Sequence, residues 1–192
     1  MREIPVRSAW CATSSSMRCR ISASAHGSRS KLWRTTSETT RDPPALVAIA
    51  PPIVAESRAA KSTGVSRPAA RALVVPHAGY AYSGKVAAAA FVSLSNGDVR
   101  RVILMGPSHH MAFAGGALPD DAIEAFATPL GTVPIDRDAV RALRRNGDFS
   151  GPARAHGPEH SLEVELPFLQ VVAPEAAIVP ILVGTGSDVS SA

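Results

Sequence analysis

Only two cysteines occur in 192 residues, Cys11 and Cys19, and both lie among serines and arginines near the start of the chain. With no second Cys or His pair at zinc-like spacing they read as free thiols, which makes a reducing, cytoplasmic setting the expectation. Long hydrophobic runs are missing as well. None approaches the roughly 20 residues needed to cross a bilayer, and the first thirty residues lack the apolar centre of a secretory signal, so no membrane partner is expected. There is no P-loop and no Rossmann glycine fingerprint, which leaves nucleotide binding without a motif. "GPSHH" lacks the second glycine of a G-x-S-x-G elbow, so Ser108 has no nucleophile's setting.

The net charge of +4 is unevenly spread. Residues 1–70 hold 11 Lys/Arg against 4 Asp/Glu, whereas residues 71–192 hold 9 against 12. The basic character belongs to the leading segment and is no sign of nucleic-acid binding by the folded part. Residues 1–43, rich in Ser and Arg and without aliphatic periodicity, are expected to be disordered. Residues 44–65 form a connection of open character, because Pro51-Pro52 interrupts its apolar run and would end a helix or mark an edge.

From Arg71 onward the pattern is regular. Apolar "ALVV" at 72–75, an Ala-rich helical stretch from Lys85 to Leu94 and apolar "VILM" at 102–105 read as strand, helix, strand in a parallel crossover. Asp136 is placed to cap a helix carrying Val140 and Leu143, with Asn146-Gly147 as its stop. Ser161–Val172 is amphipathic with a bend or break at Pro167, and "AIVPILVG" from Ala177 is another buried strand. The fold class expected is therefore α/β, a largely parallel sheet flanked by helices. The last strand would leave an unpaired edge unless an earlier segment or a partner covers it.

Two histidines hold matching places, His77 in "LVVPHAGY" and His109 in "ILMGPSHH", each just beyond a buried strand. Ligands collect at the carboxyl ends of strands in open α/β sheets, so two imidazoles thirty-two positions apart can converge there as metal ligands or proton carriers. If His109 and His110 are extended they point to opposite sides, and His109 mirrors His77 more closely. "HGPEHSLEVELP" adds His156, Glu159, His160, Glu163 and Glu165. That group can complete a metal site, act as general acid and base, or orient the first two histidines. Helix capping also accounts for Glu159, and Glu163 and Glu165 read as a solvated face. Tyr80 and Tyr82 would share a side if extended.

"VPHAGYAYSG", "GPSHH", "TPLGTVPID", "EHSLEVELPFL" and "VPILVG" stand in the order and spacing seen in the Memo-like family, also known as AmmeMemoRadiSam system protein B. The chain resembles that family over roughly residues 66–192, as the N-terminal portion of its α/β domain. The resemblance implies a fold like that of class III extradiol dioxygenases and a pocket with two histidines and a cysteine, with iron or copper associated with it. It places His77 and His109 at the metal-ligand positions and His160, in the "EHS" motif, as the catalytic residue near them. Radical SAM and AMMECR-type proteins are the partners it implies, with a small molecule or peptide as ligand. The family's later portion, which supplies the third ligand, has no counterpart here, nor does its usual N-terminal pattern, so the chain reads as a fragment or disrupted copy. A pocket that resembles an enzyme's does not establish turnover. A metal-dependent redox or accessory enzyme, a binding scaffold and an inactive fragment all remain open.

Overall fold

The computed structural model describes residues 31–34, 43–61, 70–94 and 99–186. Most of the segment expected to be disordered, residues 1–43, lies outside the described residues, as do both cysteines. Lys31–Arg34 within it differs from that expectation: it is a strand, β1, paired in parallel with Ile123–Thr128, β4. The connection is also settled through Lys61, because Pro43–Lys61 is one helix, α1, that runs through Pro51 and Pro52.

Among the described residues, two short sheets and four α-helices make an α/β fold. Arg101–Pro107 is β2, Gly116–Ala117 is β3, Gly131–Pro134 is β5 and Ala177–Val183 is β6. One sheet has the order β2-β6-β3 and the other β1-β4-β5. The pairs β2/β6 and β1/β4 are parallel, while β3/β6 and β4/β5 are antiparallel. A bridge between Ile135 and Ile178 links the second sheet to β6. The earlier segment β3 covers β6, which is therefore central, with β2 and β3 as the outer strands among the described residues.

The apolar runs at 102–105 and 177–183 become β2 and β6 as expected. "ALVV" at 72–75 does not become a ladder strand. It is extended, with Leu73 and Val75 packed on the core and Val74 fully exposed, but it pairs with no strand among the described residues. Alternation makes a pleat; only ladder hydrogen bonds make a sheet, and Pro76 at its end has no N–H to give.

The helices pack on the sheet through a core centred on Phe168, Leu166, Leu169, Ile178 and Leu182. Tyr80–Phe91 is α2, Arg137–Arg144 is α3 and Leu166–Val172 is α4. The Phe91 and Phe168 rings stack at 5.7 Å, and Tyr80 meets Phe168 edge-on at 5.6 Å. Helix α1 buries Ala50 and Val54 against α2 and α4. Pro167 opens α4 instead of breaking a longer helix, and a 3-10 turn, Glu163–Glu165, precedes it. Proline is at ease in a first helical turn, where its missing N–H has no partner to lose. Along β2, Leu104 and Gly106 face this layer while Ile103 and Met105 face outward and are more than half exposed.

Candidate metal centre

Three segments end at one place. The extended stretch at 72–77 delivers His77 just before α2, β2 delivers His109 two residues past Pro107, and the turn leading into the 3-10 segment delivers His160. The rings of His77 and His109 have centroids 5.2 Å apart, and those of His109 and His160 are stacked at 5.1 Å. His110 joins them: its ring meets that of His160 at 6.2 Å. His109 and His110 lie in a bend and not in the extended geometry under which they would point to opposite sides, and His110 is not turned away from the cluster.

Each loop is fastened by its own hydrogen bonds. Ser83 Oγ donates to Ala78 O at 3.0 Å and holds the His77 loop onto α2. Ser108 N donates to Val183 O at 2.9 Å, which carries β6 pairing one residue beyond β2, and Ser108 Oγ donates to Met111 O at 2.7 Å. Ser108 is thus a buried turn-former. Ser161 Oγ donates to Pro107 O at 2.9 Å and ties the His160 turn to the β2 exit. That contact needs Gly106: a Cβ there would stand 2.7 Å from Ser161 Oγ and 2.9 Å from Leu162 Cδ2.

Glu159 lies at the centre of the polar contacts, with its side chain 1% exposed. Its Oε1 accepts from His109 Nδ1 at 2.8 Å and from the backbone N–H groups of His160 and Ser161 at 2.9 Å each. Its Oε2 accepts from the backbone N–H of His109. Burial raises the carboxyl pKa, but these hydrogen bonds together outweigh it and bring it down to about 2. Burial, then the neighbouring rings of His109 and His160, hold His77 below the ordinary histidine range, against the pull of Glu159. The potential ligand atoms of His109, Glu159 and His160 all lie within 4.8 Å of one another, close enough to hold a metal ion.

The rest of the "HGPEHSLEVELP" constellation is structural. His156 Nε2 donates to Ala117 O at 3.0 Å, its ring meets Phe126 edge-on, and burial lowers its pKa to about 4. Glu163 and Glu165 are buried and not a solvated face, and burial pushes Glu165 up to about 8. Tyr80 and Tyr82 lie on α2 and not on a strand, so they point apart, Tyr80 inward and Tyr82 into solvent. Sequence reasoning placed Glu159 among the residues able to orient the first two histidines, but did not show its four hydrogen bonds. Its one local sign is a carboxylate placed to reach the N–H groups one and two residues on.

A family profile described as "Memo-like protein" matches residues 53–191. The chain belongs to the Memo-like family. It is 40% identical over 119 residues to "Protein memo-1 homolog" of Caenorhabditis elegans, covering 60% of this chain and 33% of that protein. It is 36% identical over 128 residues to "Protein MEMO1" of Xenopus tropicalis, covering 64% and 42% respectively. The "MEMO1 family protein" of Thermotoga maritima is 43% identical over 112 residues, covering 57% and 39%. The chain thus spans a third to about two fifths of the length of these Memo-like relatives.

Proposed function

We propose that this Memo-like chain binds a redox-active metal ion, iron or copper, through His77 and His109, with His160 beside them as the residue that holds or moves a proton. The single observation behind this reading is the convergence of three imidazoles from three separate segments, with neighbouring centroids 5.1–5.2 Å apart. Imidazole nitrogen suits both metals, so the donor set fits the group that the family resemblance implies. A bound ion of this kind would supply Lewis acidity and one-electron chemistry. The chain's own part is to present unprotonated ring nitrogens, to keep their loops fixed, and to offer His160 as a proton carrier next to the ligands. A redox or accessory enzymatic role follows from that chemistry. Partnership with radical SAM and AMMECR-type proteins and action on a small molecule or peptide belong to the same reading.

A second reading is a binding scaffold whose pocket takes a small molecule or peptide without turnover. It is favoured by Glu159, the carboxylate beside the rings, whose oxygens are already taken up by His109, His160 and Ser161. Equilibrium dialysis of the purified chain with Fe(II) or Cu(II), read by elemental analysis, separates the two. On the metal reading the wild type retains about one ion per chain, and His77→Ala and His109→Ala each weaken retention by at least about tenfold. No retention by the wild type, or equal retention by both variants, removes it; ligand binding that survives chelation supports the scaffold.

A further inference from the structure

The potential ligand atoms of His109, Glu159 and His160 are grouped closely enough that Glu159 could be taken for a metal ligand. Its hydrogen bonds argue otherwise. Three backbone N–H groups, those of His109, His160 and Ser161, point at the carboxylate, and a backbone N–H only donates. A group so surrounded is an acceptor, so the fourth partner, His109 Nδ1 at 2.8 Å, supplies a proton to it. With Nδ1 carrying hydrogen, the neutral ring keeps its lone pair on Nε2. The same Oε1 grips the two N–H groups on either side of the His160 carbonyl, and so holds the turn from which that imidazole projects.

We propose that Glu159 is a positioning residue that sets two imidazoles at once, locking His109 in the tautomer with a free Nε2 lone pair and anchoring the turn that carries His160. The inference rests on the metal reading for its purpose but not for its geometry. It joins segments fifty residues apart through its pair of bonds to His109. Replacing the carboxylate by an amide keeps the shape and breaks the logic. Gln at 159 must turn its NH2 either toward the His109 backbone N–H at Oε2 or toward the three donors at Oε1, so that in both cases a backbone N–H loses its acceptor and the charge that held the His109 proton on Nδ1 is gone.

The test is the ring nitrogen spectrum of His109 in the metal-free full chain, together with Co²⁺ titration followed by its visible absorption. The wild type is expected to show Nδ1–H and a bare Nε2. Glu159→Gln should shift His109 toward the Nε2–H form and weaken Co²⁺ binding by about 10- to 100-fold, with Glu159→Asp recovering part of both. Ser161→Ala removes the bond to Pro107 O from the same turn without touching the carboxylate, and it should leave the tautomer unchanged. A wild-type His109 protonated on Nε2 overturns the inference with no variant needed, even if Glu159→Gln fails to fold. So does a tautomer shift in Ser161→Ala as large as that in Glu159→Gln, since any loosening of the turn would then suffice. Co²⁺ uptake by the wild type with equal uptake by a folded Glu159→Gln removes the positioning role and leaves the metal reading standing. An Nδ1–H wild type that shifts on Glu159→Gln but takes up no Co²⁺ supports the tautomer lock and removes the metal reading instead.

Discussion

Single atoms decide the candidate centre. Gly106 is the clearest case, because the turn bearing His160 can reach Pro107 O only if nothing projects from position 106. Alanine there would normally gain a little by restricting the unfolded chain. Here the added methyl meets Ser161 Oγ at 2.7 Å and Leu162 Cδ2 at 2.9 Å, and Leu162 is itself buried. Gly106→Ala is therefore expected to destabilise the fold by about 1–3 kcal/mol, read as a lower urea midpoint with an unchanged slope; a midpoint equal to or above the wild type would contradict this packing. At this scale the sequence showed imidazoles that the fold brings together and placed Glu159 among the groups able to orient them, without showing how. His77 and His109 announce themselves by standing at the ends of apolar runs, whereas Glu159 acquires its role through contacts with a segment fifty residues away.

Elements were legible where one local rule governs them. Asp136 is such a place: its Oδ1 accepts from Ala139 N at 2.9 Å, a helix cap written in the sequence, and α3 starts where that cap puts it. The structure adds that Asp136 N donates to Ile178 O and that Arg101 pairs with the same carboxylate, so the cap also joins β2, β6 and α3. Asp136→Ala should cost about 1–2 kcal/mol, mostly as loss of the cap, since the Arg101 pair is largely exposed on the arginine side. Thermal melts of Asp136→Ala and Arg101→Ala should differ accordingly; equal losses would move the weight from cap to ion pair. Other elements hid because local rules compete. Pro51-Pro52 argued against α1, yet packing of Ala50 and Val54 on α2 and α4 outweighs the prolines. The β4–β5 hairpin escaped notice because its short strands mix polar and apolar residues without a clean alternation.

Across the whole molecule, two buried titratable groups set opposing pH limits. His156 has a folded pKa of about 4 against an ordinary 6.5, so the unfolded chain binds more protons between those values. Its contribution is complete above pH 6.5 and is lost as pH falls through 4. Glu165 runs the other way, with a folded pKa of about 8 against an ordinary 4.5. Its protonated form favours the fold below pH 4.5, and that contribution disappears as pH rises through 8. Each group changes stability by at most about 1.4 kcal/mol per pH unit. Glu165→Gln, which keeps the shape without the ionisation, should remove the fall in stability between pH 4.5 and 8, the alkaline limb above pH 6.5 included, and so expose the full rise due to His156 between pH 4 and 6.5. An unchanged alkaline limb would mean that Glu165 ionises freely inside the fold.

Apolar runs, a capping aspartate and histidines that each follow an apolar run were enough to read the α/β class, β2, β6, α3 and the imidazoles that converge, since each follows from neighbours within a few residues. The β3 cover over β6, the burial of Glu163 and Glu165, the presence of His110 near His160 and the grip of Glu159 on His109 were decided by tertiary structure alone. Those features depend on which segments are brought side by side, and a hydrogen bond or a desolvated carboxyl exists only once that approach has been made.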